Sequence, residues 1–222
     1  MTAALWQENL KRILAYSSIA HAGYMVCALT LVVRNGAGEL DTTAAAQSIV
    51  VYLAVYLFMN LGAFAVAGLV WRETGSETVA GLAGLGRRAP LMALSMTVCL
   101  ISLIGLPPVA GFFAKLNIMV HLGRQGGWWW ALVGAIALNT LLSIYYYVRI
   151  IRVMYFAATP GDAQPLRVSP IGATVAVLSA VKLVIMFIAF GPFDRLAGRW
   201  STMLLEAPVE RVSEAREMQT PP

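Results

Sequence analysis

The chain has 222 residues, 59% of them hydrophobic and 12% charged, with a mean hydropathy of +0.72. Soluble domains carry about 25% charged residues, so this composition excludes an ordinary soluble domain and indicates an integral membrane protein. The net charge of +5 sits in loops between apolar runs, which argues against nucleic acid as a partner and for a lipid bilayer, with the loop charges reporting orientation.

Met1–Leu10 is short and mixed, and Lys11 and Arg12 precede a full-length apolar run, so no signal peptide is expected. The first predicted span runs from about Ile13 to Val33. Ser17, Ser18, His21 and Tyr24 recur in it at spacings of three and four, which places them on a common face. A turn-rich polar loop follows, with Arg34, Asn35, Gly36, Gly38, Glu39 and Asp41. The second span runs from about Ser48 to Val70, with Tyr52, Tyr56 and Asn60 four apart. Trp71, Arg72, Glu73 and Thr74 mark its exit into a glycine-rich loop that carries Arg87 and Arg88 and ends at Pro90.

The third apolar run, Leu91–Leu122, is too long for one crossing. As a straight helix it would measure about 48 Å against a hydrocarbon core of about 30 Å. It contains Gly105-Leu-Pro-Pro-Val-Ala-Gly-Phe-Phe-Ala-Lys115. Pro107 and Pro108 lack N–H groups and crowd the preceding turn, and Gly105 and Gly111 flank them with permissive backbones. A discontinuous helix is predicted: one half to about Ile104, an unwound joint, then a half carrying Lys115. Irregular backbone at membrane depth must be buried in protein or face water, and a lysine beside it marks a functional site. A proline-kinked helix with a snorkelling lysine is the plainer alternative.

His121, Arg124 and Gln125 close this run. Trp128-Trp129-Trp130 opens the fourth span as an interfacial aromatic belt. That span runs to about Val148, before Arg149 and Arg152, with Asn139, Ser143, Tyr146 and Tyr147 as its polar face. After the loop Pro160–Pro165, the fifth span runs from about Ile171 to Phe190. Lys182 lies inside it, roughly 12 Å from its end by helix rise. Gly191-Pro192 separates it from a short amphipathic piece, Phe193–Leu205, and a polar tail expected to be disordered. The organisation is thus a membrane domain over residues 1–190, with spans near 13–33, 48–70, 91–122, 128–148 and 171–190, followed by the short piece and tail of residues 191–222. The fold class is all-α and polytopic, with about five transmembrane helices.

If five spans alternate, Lys11, Arg12, Arg72, Arg87, Arg88, Arg149, Arg152 and Arg167 share one side and Arg34 and Arg124 the other. That bias predicts a cytoplasmic N-terminus and a non-cytoplasmic C-terminus. Cys27 and Cys99 lie in apolar spans without metal-ligand or disulfide spacing and read as small buried residues. No metal site is expected, and no hydrolase, zinc-protease or nucleotide-binding motif occurs. What remains is proton chemistry. Lys115 is the leading candidate, because a buried lysine without an acidic partner can change charge. His21 is a second candidate relay. Lys182 is a weak one, since it can snorkel to the interface. The serines, asparagines and tyrosines of the polar stripes suit either a file of water or interhelical hydrogen bonding, and the latter is the commoner role.

Two stretches resemble a known family. Asn9-Leu-Lys-Arg-Ile-Leu-Ala-Tyr-Ser-Ser-Ile-Ala-His-Ala-Gly-Tyr24 is similar to a signature of the antiporter-like membrane subunits of respiratory complex I, the NADH:quinone oxidoreductase. Gly105–Lys115 looks like their broken twelfth helix. Tyr52–Ala67, which offers Asn60 where larger sister subunits have a lysine, points to the subunit N branch of that family. The resemblance covers about Ala3–Phe156 well. It implies fourteen helices in a full-length relative, of which these spans are the tenth to fourteenth, and two inverted repeats, each with a broken helix. Lys115 would be the proton-carrying lysine of the second half-channel, which opens away from the cytoplasm, and His21 would match a His/Gln position. The resemblance further implies other membrane subunits of complex I as partners, no cofactor in this chain, and NADH, flavin, iron–sulfur clusters and quinone in partner subunits. It implies residence in the cell inner (plasma) membrane of the respiratory chain. The first nine helices have no counterpart here, so a fragment that holds only the exit half of a channel is expected. The alternatives are a subunit of a multi-subunit cation/proton antiporter and a truncated, non-conducting fragment.

Overall fold

The computed structural model describes residues 2–34, 40–158, 166 and 168–201. Its helices are α1 (Thr2–Leu5), α2 (Leu10–Leu29), α3 (Thr43–Thr74), α4 (Leu85–Arg88), α5 (Pro90–Ile104), α6 (Ala110–Gln125), α7 (Trp129–Phe156) and α8 (Pro170–Ile188). A 3-10 turn occupies Val79–Leu82, and helical backbone resumes over residues 190–201. Among the described residues the strands are one two-residue antiparallel pair, Val33–Arg34 with Leu40–Asp41, in the predicted turn-rich loop. The fold is all-α, as the apolar periodicity requires.

Among the described residues, three helices are long and apolar enough to cross a membrane: α3, α7 and α8. The first predicted span is 20 residues long as α2 but carries Lys11, Arg12, Ser17, Ser18 and His21, which lower its apolarity. The third is divided between α5 and α6, neither of which spans alone. The outer faces agree with a lipid environment. Ile19 and Val26 on α2, Leu53 and Leu57 on α3, Leu138 and Leu141 on α7, and Leu178 and Ile188 on α8 are all exposed.

Several predicted boundaries shift. The first span stops at Leu29 instead of Val33, because Thr30 turns both its N–H and its hydroxyl back to the Cys27 carbonyl and the chain then joins the strand pair. The fourth continues to Phe156 instead of Val148. Arg149, read as an exit signal, stays helical while its guanidinium reaches the carbonyls of Leu5 and Gln7, and Ile150 and Met154 keep a buried face beyond it. The loop Pro160–Pro165, together with residues 202–222, lies outside the described residues.

α3 is the central element and packs against α2, α5, α6 and α8. Gly62 explains how closely: a Cβ there would lie 2.5 Å from Cys99 Sγ on α5 and 2.9 Å from Ser179 Cβ on α8. Small residues at helix crossings permit this approach inside a membrane, where packing replaces the hydrophobic drive. At one end, Leu10 N–H donates to the Glu77 carbonyl (2.8 Å) and Val79 N–H to the Glu8 carbonyl (2.8 Å). Lys11 Nζ pairs with Glu77 Oε1 at 2.7 Å and lies over the Trp71 ring. These contacts fix the start of α2 on the turn that precedes α5, and so set α2 beside the break.

Candidate functional site

The break is built from the ends of two half-helices. α5 closes at Gly105, whose φ of 84° lies in the left-handed region that glycine adopts at low cost. The N–H groups of Gly105 and Leu106 both return to the Ile101 carbonyl, at 2.9 and 3.2 Å. The carbonyls of Leu103 and Ile104 are thereby left beyond the ladder, as the last carbonyls of any helix are. The chain passes through Pro107 and Pro108 and re-enters helix at Ala110. Gly111 then sits against the end of α5. Its N–H donates to Ser102 Oγ at 3.1 Å, and a Cβ at this position would overlap the Ser102 carbonyl.

Lys115, one turn farther along α6, folds back into this joint. Its Nζ donates to the Ile104 carbonyl at 2.6 Å, the Leu103 carbonyl at 3.0 Å and Thr140 Oγ1 on α7 at 3.4 Å. The ammonium therefore caps the carbonyl end of α5, where the helix dipole favours a cation. Gly105 also makes room for it, since a Cβ there would lie 2.8 Å from Lys115 Cδ. The Tyr24 ring approaches from α2, its centroid 5.2 Å from Nζ, within cation–π range. The lysine is buried, and its three N–H bonds match three protein acceptors.

His21 belongs to the same site. It is buried on α2, with Nδ1 2.6 Å from the Tyr52 hydroxyl of α3. Its ring lies 5.5 Å from that of Tyr24 and 5.2 Å from that of Tyr56. Tyr24 thus stands between the two candidate relays, and Asn139 Nδ2 holds the Tyr24 hydroxyl at 2.8 Å. Farther along α2, Ser17 bonds the Tyr147 hydroxyl. The predicted stripes do not all point inward: Ser18 bonds its own Leu14 carbonyl, and Asn60 borders an apolar hollow on the outside of α3 with Leu57, Leu61 and Phe64. Lys182 is exposed on α8. Thr140, absent from the sequence reading, could have been found as the neighbour of Asn139 on the polar face of α7.

Comparison with known proteins bears on this arrangement. The family model for the NADH:quinone oxidoreductase/Mrp antiporter transmembrane region matches residues 1–143. The chain belongs to this family. NADH-quinone oxidoreductase subunit N 2 of Sorangium cellulosum is 43% identical over 204 residues, which are 91% of this chain and 38% of that protein. Subunit N of Anaeromyxobacter sp. is 42% identical over 211 residues, with the same two coverages. The chain therefore spans about two fifths of the length of these relatives. Among solved structures, a chain of respiratory complex I from Thermus thermophilus superposes with a TM-score of 0.65 at 29% identity, over 87% of this chain and 41% of that one. A chain of the membrane-bound sulfane sulfur reductase, an archaeal respiratory membrane complex, gives a TM-score of 0.75 at 27% identity, over 90% and 38%. A chain of the Mrp complex of Dietzia sp., with a TM-score of 0.71 at 18% identity over 89% and 43%, shares the fold. This is a multi-pass, antiporter-like membrane subunit.

Proposed function

We propose that the chain forms a proton-translocating half-channel of an NADH:quinone oxidoreductase, with Lys115 binding and releasing the transported proton. One observation carries the reading: a buried lysine Nζ sits in the joint of a broken helix, on the carbonyls of Leu103 and Ile104, with no carboxylate bonded to it among the described residues. A buried charge costs several kcal/mol unless it is paired and solvated, so a lysine placed there needs a use. His21, joined to Tyr52 and separated from Lys115 by Tyr24, serves as a second relay. Lys182, exposed on α8, is given no step. The identity of 43% with a subunit N supports complex I over other assemblies. On this reading the chain holds no cofactor. NADH, flavin, iron–sulfur clusters and quinone belong to partner subunits, and other membrane subunits of complex I are the neighbours in the inner (plasma) membrane.

The test is proton pumping by membrane vesicles whose complex carries Lys115→Ala or Lys115→Arg. Both should abolish pumping and slow coupled quinone reduction at normal assembly, since arginine keeps the charge but does not cycle. Normal pumping by both would end the proposal. The family name also covers Mrp antiporters. Sodium-dependent proton exchange without NADH oxidation would favour that reading.

A further inference from the structure

A second polar cluster lies at the end of the bundle where α3 begins and α6 finishes. Asp194, on residues 190–201, accepts from Asn117 Nδ2 of α6 through Oδ1 (3.1 Å), and its backbone carbonyl accepts from Gln47 Nε2 of α3 (3.2 Å). Asn117 Oδ1 in turn accepts from the Ser48 hydroxyl at 3.0 Å. His121 Nδ1 lies 3.3 Å from that same hydroxyl and 2.9 Å from the Asn117 carbonyl. Ser48 is fully buried, and Asn117, His121 and Asp194 are half-buried. Arg195, next in sequence, turns its guanidinium to the Gly191 carbonyl and not to this carboxylate. Three elements thus bring together a hydroxyl, an amide, an imidazole and a carboxylate, the last two able to bind and release protons.

The cluster shares α3 and α6 with the surroundings of the lysine. Ser48 and Tyr52 are four residues apart on α3 and are neighbours on one face. Side chains on a helix lean toward its N-terminus, which carries the Tyr52 ring toward Ser48. The Tyr52 hydroxyl meets His21, and His21 and Lys115 both pack on Tyr24. The line of polar groups from the half-buried end of the bundle to the buried ammonium thus has two steps, Ser48 to Tyr52 and His21 to Lys115, that need water to bridge them. The half-helix that carries Lys115 also carries Asn117 and His121.

We propose that Ser48, Asn117, His121 and Asp194 form the outlet through which Lys115 exchanges its proton with water, with Asp194 as the terminal acceptor. The proposal rests on the relay reading of Lys115. In the step at the outlet, the Asp194 carboxylate gains the proton that arrives along the line, becomes the carboxylic acid, and returns to carboxylate by giving that proton to water. A structural clamp would use the same contacts but only needs an acceptor for Asn117, and an asparagine at 194 supplies one.

The experiment measures initial pumping rates in membrane vesicles that carry the assembled complex with Asp194→Asn, His121→Gln, or both. The outlet predicts a fall of tenfold or more for Asp194→Asn at unchanged assembly, and recovery on adding formate, or imidazole for His121→Gln, on the release side, because a small diffusible acid or base can replace a missing proton acceptor. Wild-type rates in both single variants overturn the outlet. So does a loss of rate that tracks a loss of assembled complex, or one that neither rescue agent restores, since a clamp behaves in that way. Lys115→Ala separates the two proposals. If it stops pumping while the Asp194 and His121 variants pump normally, the outlet alone is wrong. If it pumps normally, the relay reading falls as well.

Discussion

Gly111→Ala is the sharpest test of how the break is held. The added methyl would overlap the Ser102 carbonyl and approach Ser102 Oγ to 2.8 Å. Neither neighbour is the free end of a flexible chain, so α6 must withdraw from α5 or tilt. Forcing a methyl into a packed seam costs about 1–3 kcal/mol. The shift also strains the Gly111 N–H to Ser102 Oγ bond, worth about 0.5–1.5 kcal/mol. Alanine returns up to about 1 kcal/mol of helix propensity. The net expectation is a destabilisation of about 1–4 kcal/mol, together with loss of the short contacts between Lys115 and the α5 carbonyls. Gly134→Ala is the control. It lies inside α7 with nothing within 4 Å of the added Cβ, so it should be neutral or stabilising by about 0.5–1 kcal/mol. Thermal denaturation of the solubilised complex, read beside pumping by vesicles, distinguishes the two. Equal midpoints and equal pumping for Gly111→Ala and Gly134→Ala would refute the seam as the element that holds Lys115 in place.

Gly62→Ala should also destabilise, by about 1–3 kcal/mol, because its Cβ meets Cys99 Sγ at 2.5 Å and Ser179 Cβ at 2.9 Å. Gly62→Ala with Cys99→Ala should recover part of the loss in the same thermal assay. The Glu77 carboxyl is held below the ordinary carboxylate range by hydrogen bonds from Lys11 and Asn9 and by the Lys11 charge. Its contribution to the α2 tie is present above about pH 4.3, the ordinary glutamate value, and disappears as pH falls through the lower folded value. The protection of the Leu10 and Val79 amides, taken relative to their intrinsic exchange rates at each pH, should therefore fall toward acid pH, and the fall should vanish in Glu77→Ala. Orientation is checked by reporters after Pro222 and in the loop between Thr74 and Arg88. The first should report the non-cytoplasmic side and the second the cytoplasmic side, and a cytoplasmic C-terminus would overturn the alternation of five spans.

The break was legible because proline and glycine act through the backbone, and the backbone needs no partner to be interpreted. The partners of Lys115 were not legible, since they are carbonyls of Leu103 and Ile104, and any residue type supplies a carbonyl. Polar stripes gave the faces of α2 and α3 only in part. Periodicity shows which residues share a face but not what the face meets, so Tyr52 meets His21 while Asn60, two turns on, borders an outer hollow. Charge misled the reading of α7, because an arginine at a membrane boundary also fits inside a helix when its head reaches free carbonyls, as Arg149 does. Gly191-Pro192 read as a stop, yet proline in a first helical turn loses no hydrogen bond that the turn would have made. Residues 190–201 are helical for that reason, and they carry Asp194 back onto α3 and α6.

On the proposed reading Lys115 serves both as a cap and as a relay, and its hydrogen bonds are compatible with both. The cap requires donors for the carbonyls of Leu103 and Ile104. An ammonium has three N–H bonds, and the neutral amine keeps two. Loss of the proton therefore removes the interaction of charge with the helix end and with the Tyr24 ring, but leaves donors for both carbonyls and a lone pair that can accept from the Thr140 hydroxyl. The two protonation states can share one backbone. A group buried in a joint that had to refold at every turnover would tie the proton to a large rearrangement, whereas the proposed relay asks of Lys115 only a change in which donors face the two carbonyls. Arginine keeps the cap and loses the cycle, and an apolar residue loses both, which is why the pair of substitutions separates proton transfer from stability.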